Sequence, residues 1–132
     1  MNVRPLNEKK YKISKYRFKE LYYFCLQYND WTKEIRENRM LSSIEQGEGK
    51  GNNIGRPTEN AGLRNADLTE RVKLIEQTAI EAAPDIYQYI LLAVTNEGYS
   101  FNYLKMMKGM PCEKDKFYDR RRKFFYLLSK KI

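Results

Sequence analysis

Residues 99–131, YSFNYLKMMKGMPCEKDKFYDRRRKFFYLLSKK, decide how the chain reads. Ser100 is a good N-cap for a short helix over 101–107, since its hydroxyl can accept from the first-turn amides. Gly109 can adopt the left-handed conformation that ends such a helix, and Pro111 cannot continue it. A second helix is expected over 113–129. Phe117, Phe124 and Leu128 recur there at helical spacing as a buried stripe, with Phe125 at its edge. On a wheel turned ~100° per residue, Lys116, Asp119, Arg122, Lys123 and Tyr126 take the opposite face, and Arg120 flanks it. A short helix, a glycine turn and a long basic helix outline a helix-turn-helix of the kind that reads DNA. Arg121 breaks the pattern. It lies on the apolar side between Phe117 and Phe124, so it must reach the rim or pair with a carboxylate.

The charge distribution points the same way. The 132-residue chain carries 25 Lys/Arg against 17 Asp/Glu, a net +8, with a pI near 9.4. The excess sits at the two ends, +5 in residues 1–39 and +5 in residues 113–132, around a middle with seven basic and nine acidic residues. That suits a near-neutral scaffold presenting basic elements to a polyanion, with nucleic acid first and an anionic membrane surface as its rival. A solvated helical hairpin is the plainer interpretation, because charge runs usually face solvent.

Several classes drop out on composition. The chain has no histidine, which removes Ser-His-Asp and Cys-His catalysis and the mixed zinc sites. Its two cysteines, Cys25 and Cys112, cannot make a four-cysteine site, and they read as reduced, buried or half-buried thiols. Pro84-Asp85 could open a nuclease motif, but no acidic-x-Lys triplet follows. There is no G-x-x-x-x-G-K-[ST] loop. No enzyme activity, metal or cofactor is therefore expected. No stretch approaches the ~20 apolar residues of a membrane span, and the polar N-terminus argues against secretion, so a cytoplasmic place is expected.

The remainder reads as helix and linker. Residues 1–12 are polar, basic and expected to be loosely held. Ser14 caps a helix running to about residue 28, with Phe18, Leu21, Tyr22 and Cys25 as its stripe. Asn29-Asp30 reads as a break and a new N-cap for a short helix over 31–38, with Trp31 and Ile35 on one face. The aromatics Tyr11, Tyr16, Tyr22, Tyr23, Tyr28 and Trp31 lie among lysines and arginines. They could stack on bases, but their helical spacing favours a core role. Residues 40–60, with Gly47, Gly49, Gly51 and Gly55, read as a flexible linker. Gly55-Arg56-Pro57 is similar to the centre of a minor-groove hook, although a helix-opening turn is the ordinary reading. Leu68, Val72, Ile75 and Ala79 mark a helix over 61–81. Residues 86–94 form a central apolar helix after Pro84. The expectation is an all-α helical bundle of about six helices, ending in the helix-turn-helix. Its parts are basic aromatic N-terminal helices (1–39), a flexible linker (40–60) and a DNA-binding domain (61–132).

From EQTAIEAAPDIYQYI onward to residue 131, the chain resembles phage late-gene transcriptional regulators of the ArpU and RinA type. YKISKYRFKELYYFCLQY resembles the opening of related prophage proteins. The most specific part, KDKFYDRRRKFFYLL, is similar to the second helix of a sigma region-4-type helix-turn-helix, with Pro111-Cys112 inserted before the first core residue. The resemblance implies sequence-specific binding of double-stranded DNA and control of late phage transcription in the bacterial host. Host RNA polymerase and a second copy of the chain are further candidate partners. On this view Lys114, Lys116, Asp119, Arg120 and Lys123 lie near base edges or the groove wall. Arg122, Lys105 and the Ser100 end of the first helix hold phosphates. Arg120 is the first choice for reading a guanine. Two other classes stay open: a phage assembly or packaging subunit that binds DNA, and a protein-binding host-defence inhibitor reusing the fold.

Overall fold

The computed structural model describes residues 11–48 and 56–132, with side chains described for 11–41 and 62–132. The polar stretch 1–10, the centre of the expected linker and the Gly55 of the hook-like triplet lie outside these residues. The protein is all-α. Six helices are present and no strand occurs among the described residues: α1 (Lys15–Leu26), α2 (Tyr28–Glu48), α3 (Arg56–Ala82), α4 (Tyr87–Thr95), α5 (Phe101–Met107) and α6 (Lys114–Ser129). No helix among the described residues is long and apolar enough to cross a membrane.

Local chemistry sets most of the boundaries. Ser14 Oγ accepts the Arg17 amide at 3.1 Å and opens α1. Ser100 Oγ does the same for Tyr103 at 3.2 Å and opens α5. At the end of α5 the amides of Lys108 and Met110 both donate to the Leu104 carbonyl at 3.1 Å, and Gly109 sits at φ 71°. An L side chain at that φ would be strained, so glycine is what allows the chain to turn here. Met110 is buried against this turn.

Two expectations fail near α2. Asn29 and Asp30 do not break the helix; they form its first turn, and the chain turns at Gln27 instead. Short polar side chains suit a helix start as readily as a break, and Asp30 complements the positive end of the helix dipole. Thr32 Oγ1 also donates to the Asn29 carbonyl at 3.0 Å. The expected linker is the second correction: α2 runs on to Glu48 and α3 begins at Arg56, so 40–48 and 56–60 are helical. Arg56-Pro57 opens α3, a position where proline loses no helical hydrogen bond.

The helices form two compact units, residues 28–74 and residues 1–27 with 75–132. This division differs from the expected one, because α1 belongs with the C-terminal helices. In the first unit α2 and the early part of α3 run antiparallel. Glu34 pairs with Arg64 (2.8 Å), the Asn65 amide donates to the Ile35 carbonyl (3.1 Å), and the Asn38 amide donates to Asn65 (2.8 Å). The Arg71 guanidinium lies 5.4 Å from the Trp31 ring centre. In the second unit α4 packs on α1, α5 and α6, and α1 also packs on α6. Its core holds Leu21, Cys25, Ile90, Val94, Leu104, Phe117, Phe124, Phe125 and Leu128. Phe18 of α1 meets Phe125 of α6 edge to face at 4.9 Å. The end of α3 is tied on by Lys131, which donates to Thr78 (3.1 Å) and pairs with Glu81 (2.8 Å).

Both cysteines are buried free thiols. Desolvation pushes each thiol above its ordinary pKa, which keeps them protonated and poorly nucleophilic. The aromatics of α1 divide. Tyr22 is core, whereas Tyr16 and Tyr23 are exposed.

Candidate nucleic-acid interface

α5 and α6 are joined by the turn 108–113, and the rings of Phe101 and Phe117 hold them together at 5.8 Å. Lys105 spans the turn. Its ammonium donates to the Cys112 carbonyl at 3.0 Å and lies 3.7 Å from Glu113. Glu113 precedes α6 in extended conformation, and Asp115 supplies a negative charge to the first turn. The buried stripe Phe117, Phe124, Phe125 and Leu128 then fixes which side of α6 is left for a partner.

The expected site residues fall into three groups. Lys116, Asp119, Arg120 and Arg122 come together, with Asp115 and Tyr118, around one shallow groove on α6. Lys114 is exposed at the start of the same helix, and Lys123 is half-buried outside the groove lining. Ser100 and Lys105 do not join the groove. Ser100 caps α5 and lines a different cavity, and Lys105 braces the turn. The phosphate-holding role expected of these two is therefore competing with a structural one.

The groove is less positive than a count of its residues suggests. Arg120 donates to the neighbouring Asp119 carboxylate at 2.7 Å. Lys116 pairs with Asp85, from the turn before α4, and that hydrogen bond holds the Asp85 carboxyl below its ordinary pKa. Both pairs are partly exposed, so each is worth little and exchanges readily for a phosphate or a base edge. Arg122 differs, since its Nε is buried with no hydrogen-bond partner, which makes it a poorer phosphate ligand than its place on the wheel implied. Tyr126 is taken by Tyr11, whose ring lies 5.5 Å away, and Lys130 sits 5.0 Å over the Tyr126 ring. The exposed Lys114 and the partly exposed Lys116 and Arg120 of the groove thus lie in the first half of α6.

Arg121 pairs with no carboxylate among the described residues and instead lines a cavity beside α1. It is 8% exposed, with its guanidinium 5.8 Å from the Phe18 ring and 5.3 Å from the Phe125 ring. Burial lowers its pKa to about 10, so it remains charged at neutral pH. Sequence reasoning missed Asp85 as the partner of Lys116, because nothing local in PDIYQY marks a contact 31 residues away.

No family model matches the chain, and neither a curated protein nor a solved structure matches it.

Proposed function

We propose that this is a sequence-specific DNA-binding transcriptional regulator, with α5 and α6 as its helix-turn-helix and the first half of α6 in the major groove. The observation that carries the reading is the groove on α6, where Lys116 and Arg120 stand beside exposed Lys114 on a helix whose opposite side is locked into the core. The resemblance to late-gene regulators of phages and prophages supplies the biological setting. Double-stranded DNA is the partner, and host RNA polymerase and a second copy of the chain are the proteins it would meet there. Lys114 serves as the phosphate contact, and Arg120 exchanges Asp119 for a guanine edge.

The test is a titration of variants on a preferred and a random duplex at several salt concentrations. Arg120→Ala is expected to cost about 1–3 kcal/mol on the preferred site and less on random DNA. Lys114→Ala should weaken both duplexes alike and reduce the salt slope by about one. If both variants fold and bind like the parent, the basic helix is a solvated face. A protein-binding role is the second reading. It is favoured by Met106 and Met107 of α5, which are 82% and 69% exposed, since methionine adapts to varied partner surfaces.

A further inference from the structure

A cavity of about 300 Å³ opens between α1, the loop joining α4 to α5, and α6. Tyr22, Tyr118, Arg121, Asn96, Glu97 and Ser100 are among the residues that line it. Arg121 is more than nine-tenths buried there. Among the described residues it has no hydrogen bond and no ion pair; its only contacts of that strength are with the faces of two phenylalanines. A guanidinium carries five N–H donors and no acceptor. The Arg121 side chain lines the cavity, so an anion entering there would meet a fixed cation that no carboxylate among the described residues neutralises. Tyr22 stands on the facing wall, and burial raises its pKa, with the nearby Glu97 adding to the rise. Its hydroxyl therefore keeps its proton and can donate. Ser100 accepts from the Tyr103 amide, which leaves its own O–H free to donate as well. Asn96 takes no part, since its amide donates to Leu92 and Thr95.

We infer that this cavity is a binding site for a small oxyanion, a carboxylate or a phosphate, held by Arg121 with Tyr22 as the second donor. The chemistry of the lining selects the ligand: one buried fixed cation and neutral hydroxyl donors, which together favour charge-assisted hydrogen bonds to an oxyanion. The exposed Glu97 carboxylate at the mouth opposes an anion and sets a ceiling on affinity. Because Arg121 shares α6 with Arg120 and Lys116, an occupied site would stiffen the helix that carries the groove. The binding itself does not depend on DNA.

The experiment uses the full chain. Inorganic phosphate and acetate are titrated separately at constant ionic strength against chloride, and binding is followed by calorimetry and by the shift in melting temperature. A saturable effect of phosphate or acetate beyond that of chloride is expected, and the stronger of the two identifies the source. Tyr22→Phe should weaken it about tenfold, the loss expected for a hydrogen bond to a charged group. Arg121→Met should abolish it. Glu97→Gln should tighten it roughly threefold, the scale of an exposed charge interaction. The inference is overturned if neither anion exceeds chloride, or if saturable binding persists unchanged in both Tyr22→Phe and Arg121→Met. Should Arg121→Met fail to fold, an unchanged affinity in both Tyr22→Phe and Glu97→Gln overturns it equally.

Discussion

Phe124→Ala is expected to lower stability by about 3–5 kcal/mol, the range for deleting a fully buried phenyl ring. Phe124 is wholly buried and meets Phe125 edge to face at 5.1 Å. Phe125 in turn carries the contact to Phe18 of α1. The variant therefore removes apolar contact at the centre of the packing that ties α6 to the rest of its unit. Set against a typical total of about 5–15 kcal/mol, the loss should remove a large share of the stability. A urea titration followed by helical signal checks this, with Lys123→Ala expected within about 0.5 kcal/mol of the parent. A loss below about 1 kcal/mol for Phe124→Ala would mean that α6 is not anchored as described.

Arg121→Met should do the opposite. Replacing buried ionic groups with hydrophobic side chains is often stabilising by about 1–4 kcal/mol. Here no carboxylate among the described residues offsets the desolvation of the guanidinium. Its two ring contacts return on the order of 0.5–2 kcal/mol, and methionine can fill most of the space its stem occupies. A net gain of about 1 kcal/mol or more is expected in a buffer of chloride alone. The gain should shrink in whichever anion fills the cavity, because that ligand stabilises only the parent. Thermal unfolding in both buffers measures it. A loss of more than about 1 kcal/mol in chloride would show that the arginine is held by a stabilising partner.

Much of the fold was legible because its signals are local. Ser14 and Ser100 are caps whose hydroxyls bond the amides their positions required. Gly109 takes the positive φ that the turn needed. Leu68, Val72, Ile75 and Ala79 are all buried, as their +4, +3, +4 spacing demanded. The failures share a different cause. Asn29-Asp30 misled because the same side-chain chemistry stops one helix and starts another. The Gly and Ser residues after 40 were weighed by propensity, a weak prior that a helix already under way can override. The grouping of α1 with α4 and α6 depends on long-range contacts such as Phe18 on Phe125, which leave no periodic trace. Of the candidate site, the face of α6 was readable from the stripe opposite it. The pairing of Lys116 with Asp85 was not, nor was the burial of the Arg122 Nε. Arg121 was visible as an anomaly from its place between Phe117 and Phe124, but the cavity beside it is a product of the fold.

The central claim is that α6 reads DNA. Its most direct test is selection from a random-sequence duplex library by the full chain at near-physiological salt, followed by sequencing of what is retained. One recurrent motif should be enriched, with guanine at a position whose preference disappears when the selection is repeated with Arg120→Ala. Retention with no enriched motif, or no retention of duplex at any salt concentration, would contradict it.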